Sequence, residues 1–446
     1  MNIFKQFAKY VASNILGMLG ISVYIIADTF FISKAAGTKG LTVLNLALPI
    51  FNIMFGIGSM IGIGSATRYM LMKTKGEEDA DTCLTNGIFW NLLLSLPFVL
   101  AGIFAPDLVM RLMGASEESV ALGQGYFRII LIVAPFFMNN YIFNGMIRND
   151  KSPVLAMAAT LSGAFANVLF DYIFMFPMGM GIEGAALATA SCPILGIFLC
   201  SLHWGSKKNT IRWVWKRPSL RLLGRSCALG VSAMVGELTS AVTTFTFNLL
   251  LLSLVGDIGV AAYGVVANLS LVAIAIFNGI AQGSQPLLSR EYAGGAGKQV
   301  RSLLRMGLIL AACLALLIIS ASFLWTDGLV AIFNSEGNAK MAEYAFDAVR
   351  IYFLGIFFAA LNIVLTGYFS ATDQAKAAAL MSVLRGFALI VPAAILLSHL
   401  LGLHGVWMSY VLSEGLTTLA GVILWIVTEK TRGQRTAHRG ETVDAV

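Results

Sequence analysis

Four acidic residues stand inside long apolar stretches of this chain: Asp28, Asp171, Glu237 and Glu414. The stretch NVLFDYIFMF at 167–176 shows the pattern, because only its central Asp carries a charge. An ionised Asp at the centre of a bilayer costs about 2.5–3.5 kcal/mol on insertion scales, so a carboxyl found there is first interpreted as functional. The alternative is a structural ion pair, which requires a basic partner at the same depth.

Basic residues are scarce at the depth of Asp28 and Asp171. Arg128 and Arg350 lie near the ends of their apolar segments, and Arg385 lies in the other half of the chain. An unpaired carboxyl in a low dielectric either binds a proton or coordinates a cation. We therefore predict that Asp28 and Asp171 bind a coupling cation.

Asn167 precedes Asp171 by four residues, so the two side chains lie one helical turn apart on the same face. An amide oxygen beside a carboxylate can add a ligand for Na⁺ or join a proton-linked hydrogen bond. Glu237 is a secondary candidate for the same role. The sequence leaves open whether Glu237 and Glu414 take part.

The elements that carry these acids are predicted to be membrane helices. The chain has 446 residues, of which 58% are hydrophobic and 12% are charged, against about 25% charged residues in a soluble domain. A spanning helix needs about 20 apolar residues. Twelve segments qualify, at about 9–34, 41–69, 84–105, 121–147, 154–177, 182–204, 228–253, 259–288, 303–325, 344–370, 376–400 and 404–428.

Lys and Arg are distributed unevenly among the connections between these segments. One set of connections holds most of them, including those in 206–227 and in the C-terminal tail, whereas the opposite set holds only Lys34, Lys39, Arg111 and Lys340. The positive-inside rule then predicts a multi-pass protein of the plasma membrane with both termini in the cytoplasm. The net charge of +7 follows from this asymmetry and does not indicate a nucleic-acid partner.

The two halves of the chain repeat one pattern at an offset near 220 residues. Arg128 precedes Gly145 by 17 positions, and Arg350 precedes Gly367 by the same distance. Six helices per half is an even number, so the halves point the same way across the membrane. We predict an all-α membrane fold of two six-helix lobes related by a parallel repeat. Its parts are the N-lobe 1–205, a basic inter-lobe loop 206–227, the C-lobe 228–428 and a cytoplasmic tail 429–446.

Four motifs resemble those of the multidrug and toxic compound extrusion (MATE) transporters of prokaryotic type. They are ADTFFIS at 27–33, GIGSAT at 62–67, NVLFDYIF at 167–174 and GIEGAALAT at 181–189. The resemblance implies a secondary active transporter that exports lipophilic, often cationic, compounds in antiport with H⁺ or Na⁺ by alternating access. It also implies that the protein lies in the lipid bilayer and functions as a monomer. No cofactor is implied beyond the coupling ion.

The resemblance also implies a set of site residues. The N-lobe cation site of the family carries over onto Asp28, Asn167, Asp171 and Thr189, where H⁺ or Na⁺ would bind, and less directly onto Asn144 and Tyr126. Another branch of the family uses an acid in the seventh helix together with one in the tenth. Glu237 fits the first of these, but the tenth segment offers only Asp347 near its outer end. We therefore place cation coupling in the N-lobe.

Other functions are disfavoured by missing motifs. No GxxxxGK[ST] occurs for a nucleotide-driven pump, and no HExxH for a metalloenzyme, so the chain is predicted not to be an enzyme. A flippase for a lipid-linked saccharide remains the alternative within transport, and would need cationic residues deep in the cleft for a pyrophosphate. A non-transporting membrane scaffold is the alternative outside transport.

Overall fold

The computed structural model describes residues 2–333 and 338–443, and every regular element in these two ranges is a helix. The side chains of 430–443 and residues 444–446, which belong to the predicted tail, lie outside what is described. Twelve membrane spans are present when the bent pair Glu117–Ile132 and Ala134–Asn149 counts as one span. The other eleven are Ile3–Gly37, Lys39–Thr74, Thr82–Phe104, Pro153–Met175, Gly181–Gly205, Leu220–Val255, Ile258–Ala293, Gly297–Leu324, Ala339–Ala371, Ala375–Leu401 and Leu403–Glu429.

Three short elements complete the fold. Helices Pro106–Leu112 and Thr326–Phe333 follow the third and ninth spans, at equivalent places in the two halves. A π-helical turn at Leu384–Ala388 interrupts the eleventh span between Ala375–Val383 and Ile390–Leu401. The predictions of twelve spans and of an all-α fold in two six-helix lobes are confirmed.

The breaks in the helices have identifiable causes. Gly37 separates the first two spans with φ 59° and ψ −151°, a conformation that favours glycine because it has no Cβ. The fourth span bends by 42° between Ile132 and Ala134. Pro135 follows this bend directly and has no N–H to continue the hydrogen-bond ladder of the preceding turn.

Apolar side chains fill a core in each lobe, and the C-lobe core also takes in Phe7, Tyr10 and Val11 of the first span. The C-lobe core surrounds the fully buried Phe277, Tyr368 and Trp407, and the N-lobe core surrounds Met54 and Phe127. Many large apolar residues on the outer faces of the spans remain exposed, which is the surface expected of helices that face lipid chains.

The two lobes meet where backbones approach closely, in a region that we call the glycine seam: Gly64, Gly230, Gly279 and Gly283. A Cβ on Gly64 would lie 2.1 Å from the carbonyl oxygen of Ser226, and one on Gly230 would lie 1.9 Å from that of Met60. A Cβ on Gly279 or Gly283 would likewise meet the backbone of the first span within 3 Å. The seam lies in the half of the bundle nearer the basic connections, which we call the basic end.

Polar side chains cross the same seam. Gln285 Nε2 donates to Thr67 Oγ1 at 2.7 Å, and Arg148 Nη1 donates to Gln282 Oε1 at 3.0 Å. Arg148 Nη1 also donates to Asn14 Oδ1 of its own lobe at 2.8 Å. Arg148 directly follows the fourth predicted segment, 121–147, where a connection was expected. It is nevertheless only 3% exposed, because amide oxygens from the first and eighth spans accept its hydrogen bonds.

The connection between the lobes is a strap, residues 206–219, that follows the surface of the N-lobe. Thr210 N donates to Asp150 Oδ2 at 2.7 Å, and His203 Nε2 lies 2.8 Å from the same oxygen. Further along, the carbonyl of Val214 accepts from Thr85 Oγ1 at 2.7 Å. The strap is therefore attached to the N-lobe at several points along its length.

The seventh span begins earlier than predicted. Its helix starts at Leu220, so 220–227, which we assigned to the inter-lobe loop, forms its first two turns. Ser219 explains the difference, because its Oγ accepts from Leu222 N at 3.2 Å and caps the helix. Ser219 N in turn donates to Asn86 Oδ1 at 2.8 Å, which fixes the end of the strap on the third span.

We expect Gly230→Ala to lower the midpoint of thermal unfolding (Tm) in detergent, because its new Cβ must push the second and seventh spans apart. The matched control is Gly236→Ala on the same span, where no atom lies within 4 Å of the new Cβ. Both changes raise helix propensity equally. Equal Tm values for the two variants would contradict the close approach at the seam.

Candidate functional site

Five of the predicted site residues come together in the N-lobe, and we call them the N-lobe cluster: Asp28, Tyr126, Asn167, Asp171 and Thr189. All five are at most 8% exposed. The carboxyls of Asp28 and Asp171 lie within hydrogen-bonding reach of each other, and Tyr126 interacts electrostatically with both. Asn167 Nδ2 donates to Thr189 Oγ1 at 3.4 Å. Side chains from the first, fourth, fifth and sixth spans thus meet at one place.

Close packing of the fifth and sixth spans places these side chains. A Cβ on Gly163 would lie 2.9 Å from the carbonyl oxygen of Cys192, so the two backbones are nearly in contact there. Beyond that point Asn167, Asp171 and Met175 follow at intervals of four and are all buried, which defines the inward face of the fifth span. Asn167 can therefore reach Thr189.

Apart from the contact between the two carboxyls, several buried polar atoms of the cluster have no hydrogen-bond partner among the described residues. They are both carboxylate oxygens of Asp171, Oδ1 of Asp28, Oδ1 of Asn167 and the hydroxyl of Tyr126. Neither carboxyl lies within 4.0 Å of a basic nitrogen in the described part of the chain. Buried polar groups are normally hydrogen-bonded, so this convergence of acceptors requires an explanation.

The donor set fits a small hard cation. Carboxylate, amide and hydroxyl oxygens are the ligands that such ions prefer. A proton shared by the two carboxyls would instead pair one oxygen of Asp28 with one of Asp171. Within the described residues, no group of three or more His, Cys, Asp or Glu forms a denser metal centre. The arrangement can therefore hold H⁺ or Na⁺ through two carboxyls and neutral oxygens.

Asn144 lies apart from this cluster. Its Nδ2 donates to Thr160 Oγ1 at 2.9 Å and to the carbonyl of Ala156 at 3.1 Å, both on the fifth span near the basic end. Thr160 precedes Asp171 by eleven residues, or about 16 Å along a helix. The structure thus separates Asn144 from the other predicted site residues, because the fourth span crosses the fifth nearer the basic end.

Glu237 extends from the seventh span toward the N-lobe. It interacts electrostatically with Tyr24 and Tyr141, and Tyr24 also interacts with Asp28 and Asp171. All three are partly exposed, unlike the N-lobe cluster. Tyr24 is therefore within electrostatic range of both the cluster and Glu237. We did not predict a role for Tyr24, although its spacing of four residues from Asp28 places both on one helical face.

Glu414 has a different environment. Its Oε1 lies 2.6 Å from Arg385 Nε, and its Oε2 accepts from Asn362 Nδ2 at 2.7 Å. Arg385 belongs to the π-helical turn of the eleventh span. A π-helical turn inserts an extra residue, so its side chains point in directions different from those in a regular α-helix. The structural ion pair that we considered for every embedded acid is therefore realised at Glu414.

The family model MatE matches residues 14–173 and, a second time, residues 233–396. The chain belongs to the MatE family. The two matches correspond to the two halves of the internal repeat.

Two relatives cover nearly the whole chain. The multidrug export protein MepA of Staphylococcus saprophyticus is 24% identical over 428 residues, which is 95% of this chain and 93% of MepA. MepA of Staphylococcus aureus is 24% identical with the same coverage.

Two solved structures show the same fold. One is an outward-facing conformation of a multidrug resistance MATE family transporter, at 20% identity and a TM-score of 0.90, covering 98% of this chain and 97% of that one. The other is a transporter of the MOP superfamily from Pyrococcus furiosus, at 20% identity and a TM-score of 0.87, with 95% of both chains covered.

Replacing Arg385 by Met is expected to destabilise the protein by about 3–5 kcal/mol, because it leaves the buried charge of Glu414 without a counter-ion. Thermal unfolding in detergent measures the effect. The double variant Arg385→Met/Glu414→Gln removes both charges and should recover most of the lost Tm. A double variant as unstable as the single one would contradict the pairing.

Proposed function

We propose that this chain is a secondary active multidrug efflux transporter, which exports lipophilic and often cationic compounds in antiport with H⁺ or Na⁺. The observation that carries the proposal is the pair Asp28 and Asp171, buried side by side without a basic partner among the described residues. Membership of the MatE family and the multidrug export proteins among the relatives support it.

Charge asymmetry supports the orientation. The basic end holds most of the Lys and Arg of the connections, so we place it, with both termini, in the cytoplasm. The glycine seam then lies toward the cytoplasm, and Glu237 and Tyr24 lie beyond it on the way to the outside. A substrate that enters between the lobes from the outer side would meet these two residues and the N-lobe cluster.

Cation binding drives the conformational change in this proposal. When H⁺ or Na⁺ is bound, Asp28 and Asp171 carry less net negative charge, so their mutual repulsion falls and the first and fifth spans can repack. When the cation leaves, the two carboxylates attract an organic cation or separate. The lobes exchange access by opening the glycine seam and closing the outer half.

Energetics limits the coupling. Concentrating a compound a hundredfold outward costs about 2.7 kcal/mol. One charge that enters through 100 mV supplies about 2.3 kcal/mol. Exchange of one cation for one monovalent cationic drug moves no net charge, so the membrane potential contributes nothing. Such a cycle uses the concentration gradient of the cation, or more than one cation per turnover.

The alternatives gain less support. A flippase for lipid-linked saccharides would need cationic side chains in the cleft to hold a pyrophosphate. The N-lobe cluster instead contributes the acids Asp28 and Asp171, and Glu237 adds a third acid from the seventh span. A membrane scaffold would tolerate loss of the embedded carboxyls.

Asp171→Asn is expected to abolish ion-driven transport, because an amide cannot release or bind a proton and is a weaker ligand for Na⁺. Proteoliposomes with an imposed H⁺ or Na⁺ gradient and a fluorescent organic cation measure this loss. Asp107→Asn, the same chemical change in the short helix after the third span, is the control and should transport normally. Undiminished transport by Asp171→Asn would contradict coupling at the N-lobe cluster.

Transport by Glu237→Gln is expected to depend on the same coupling ion as transport by the unchanged protein. Its KM for cationic substrates should be several-fold higher. An organic cation is attracted by the carboxylate of Glu237 together with the ring faces of Tyr24 and Tyr141. Gln has nearly the same side-chain shape as Glu but no charge, so only the electrostatic attraction is lost. The KM for a neutral lipophilic substrate should change little. If Glu237→Gln instead abolishes ion dependence, coupling belongs to the C-lobe side of the cleft.

A further inference from the structure

A cavity of about 330 Å³ lies at the basic end of the N-lobe, away from the cleft between the lobes. Three lysines from three segments line it: Lys9 of the first span, Lys151 of the connection between the fourth and fifth spans, and Lys208 of the strap. Its remaining lining combines Ser152 and Ser206 with apolar residues at the start of the fifth span, Pro153, Val154, Leu155 and Ala158. One side of the cavity is thus basic and the other is apolar.

Within the described ranges, the three ammonium groups have no carboxylate counter-ion. None of them lies within 4.0 Å of a carboxylate in the described ranges, and all three residues are exposed. The nearest acid in sequence is Asp150, whose Oδ2 is already bound to His203 Nε2 at 2.8 Å and Thr210 N at 2.7 Å. The cavity therefore presents three ammonium groups that no carboxylate of the described residues contacts.

Lys151, which lines the cavity, has an unusual backbone conformation. Its φ is 66°, in the left-handed region that costs a non-glycine residue of order 1–3 kcal/mol and is found mainly at functional sites. The equivalent residue of the C-lobe, 222 positions later, is Asp373, with φ 59°. Asp373 pairs with Arg68 at 3.8 Å. The two lobes thus share the strained turn but not its charge, so the turn alone does not require a lysine.

The position of the cavity identifies the ligand. It is formed where the first and fifth spans begin and where the strap leaves the sixth span, which is the level of the lipid headgroups. Val154 is 45% exposed beside the lysines, so an acyl chain can lie on apolar surface while a phosphate contacts the ammonium groups. We propose that this cavity binds an anionic phospholipid, whose phosphate contacts Lys9, Lys151 and Lys208.

This site is independent of the proposed transport mechanism, because none of its residues belongs to the N-lobe cluster or to the glycine seam. Its effect on the protein is to link the strap to the start of the fifth span through a bound lipid. The Tm of the full chain in detergent should therefore rise when phosphatidylglycerol is added, and should rise much less with phosphatidylcholine.

Native mass spectrometry of the purified full chain, titrated with each lipid, measures the affinity. We expect phosphatidylglycerol binding to weaken about fivefold in Lys151→Gly, and more than about a hundredfold in Lys9→Gln/Lys151→Gly/Lys208→Gln. Glycine suits the left-handed backbone, so the Tm of Lys151→Gly without lipid should be unchanged or higher. A purely structural Lys151 would show no loss of lipid affinity in this variant.

The matched control is Lys75→Gln/Lys298→Gln/Lys376→Gln, which removes three exposed lysines from the basic end outside the cavity. It should keep its affinity for phosphatidylglycerol. Equal losses in the two triple variants would overturn the proposal in favour of general surface charge. The proposal would also be overturned if inorganic phosphate raised the Tm as much as phosphatidylglycerol does. The cavity would then be a site for free anions.

Discussion

Burial of charge in a low dielectric is the constraint on which this structure depends, and the protein meets it differently at each site. Glu414 is neutralised by Arg385 and accepts a hydrogen bond from Asn362, both within the C-lobe. Arg148 is solvated by two amide oxygens, one from each lobe. Asp28 and Asp171 receive neither solution from the described residues. Charges that the protein satisfies with its own atoms are fixed, and those that it does not satisfy are available to an ion that comes and goes.

The two lobes share a backbone plan and differ in chemistry. The family model matches each half once, and both halves have a non-glycine residue with positive φ at equivalent positions, Lys151 and Asp373. Yet Asp171 corresponds to Pro392, and Thr189 corresponds to Tyr410. The one embedded carboxyl–guanidinium pair among the described side chains, that of Glu414, belongs to the C-lobe. Duplication preserved the packing of the helices, and the side chains at the two sites diverged.

Much of the fold could be predicted from the sequence, because hydropathy and the repeat report directly on spans. The proximity of Asp171 to Asn167 followed from helical spacing, whereas that of Asp28 to Thr189 came from the family resemblance. The partners of Arg148, Arg385 and Asn144 could not be predicted, because they depend on how each helix is rotated and where it crosses its neighbours. A hydropathy profile has no information on either. Tyr24 could have been found, since it lies one turn from Asp28.

The attachment of the strap to the N-lobe has a mechanical consequence. Thr210, Val214 and Ser219 are all bound to the N-lobe, so the covalent tether between the lobes has almost no slack before Leu220. A relative rotation of the lobes can then pivot near that residue. The helix Leu220–Val255 extends about 54 Å from it. A rotation of about 10° would move its far end by about 9 Å, so a small repacking at the seam becomes a wide displacement at the other face of the membrane.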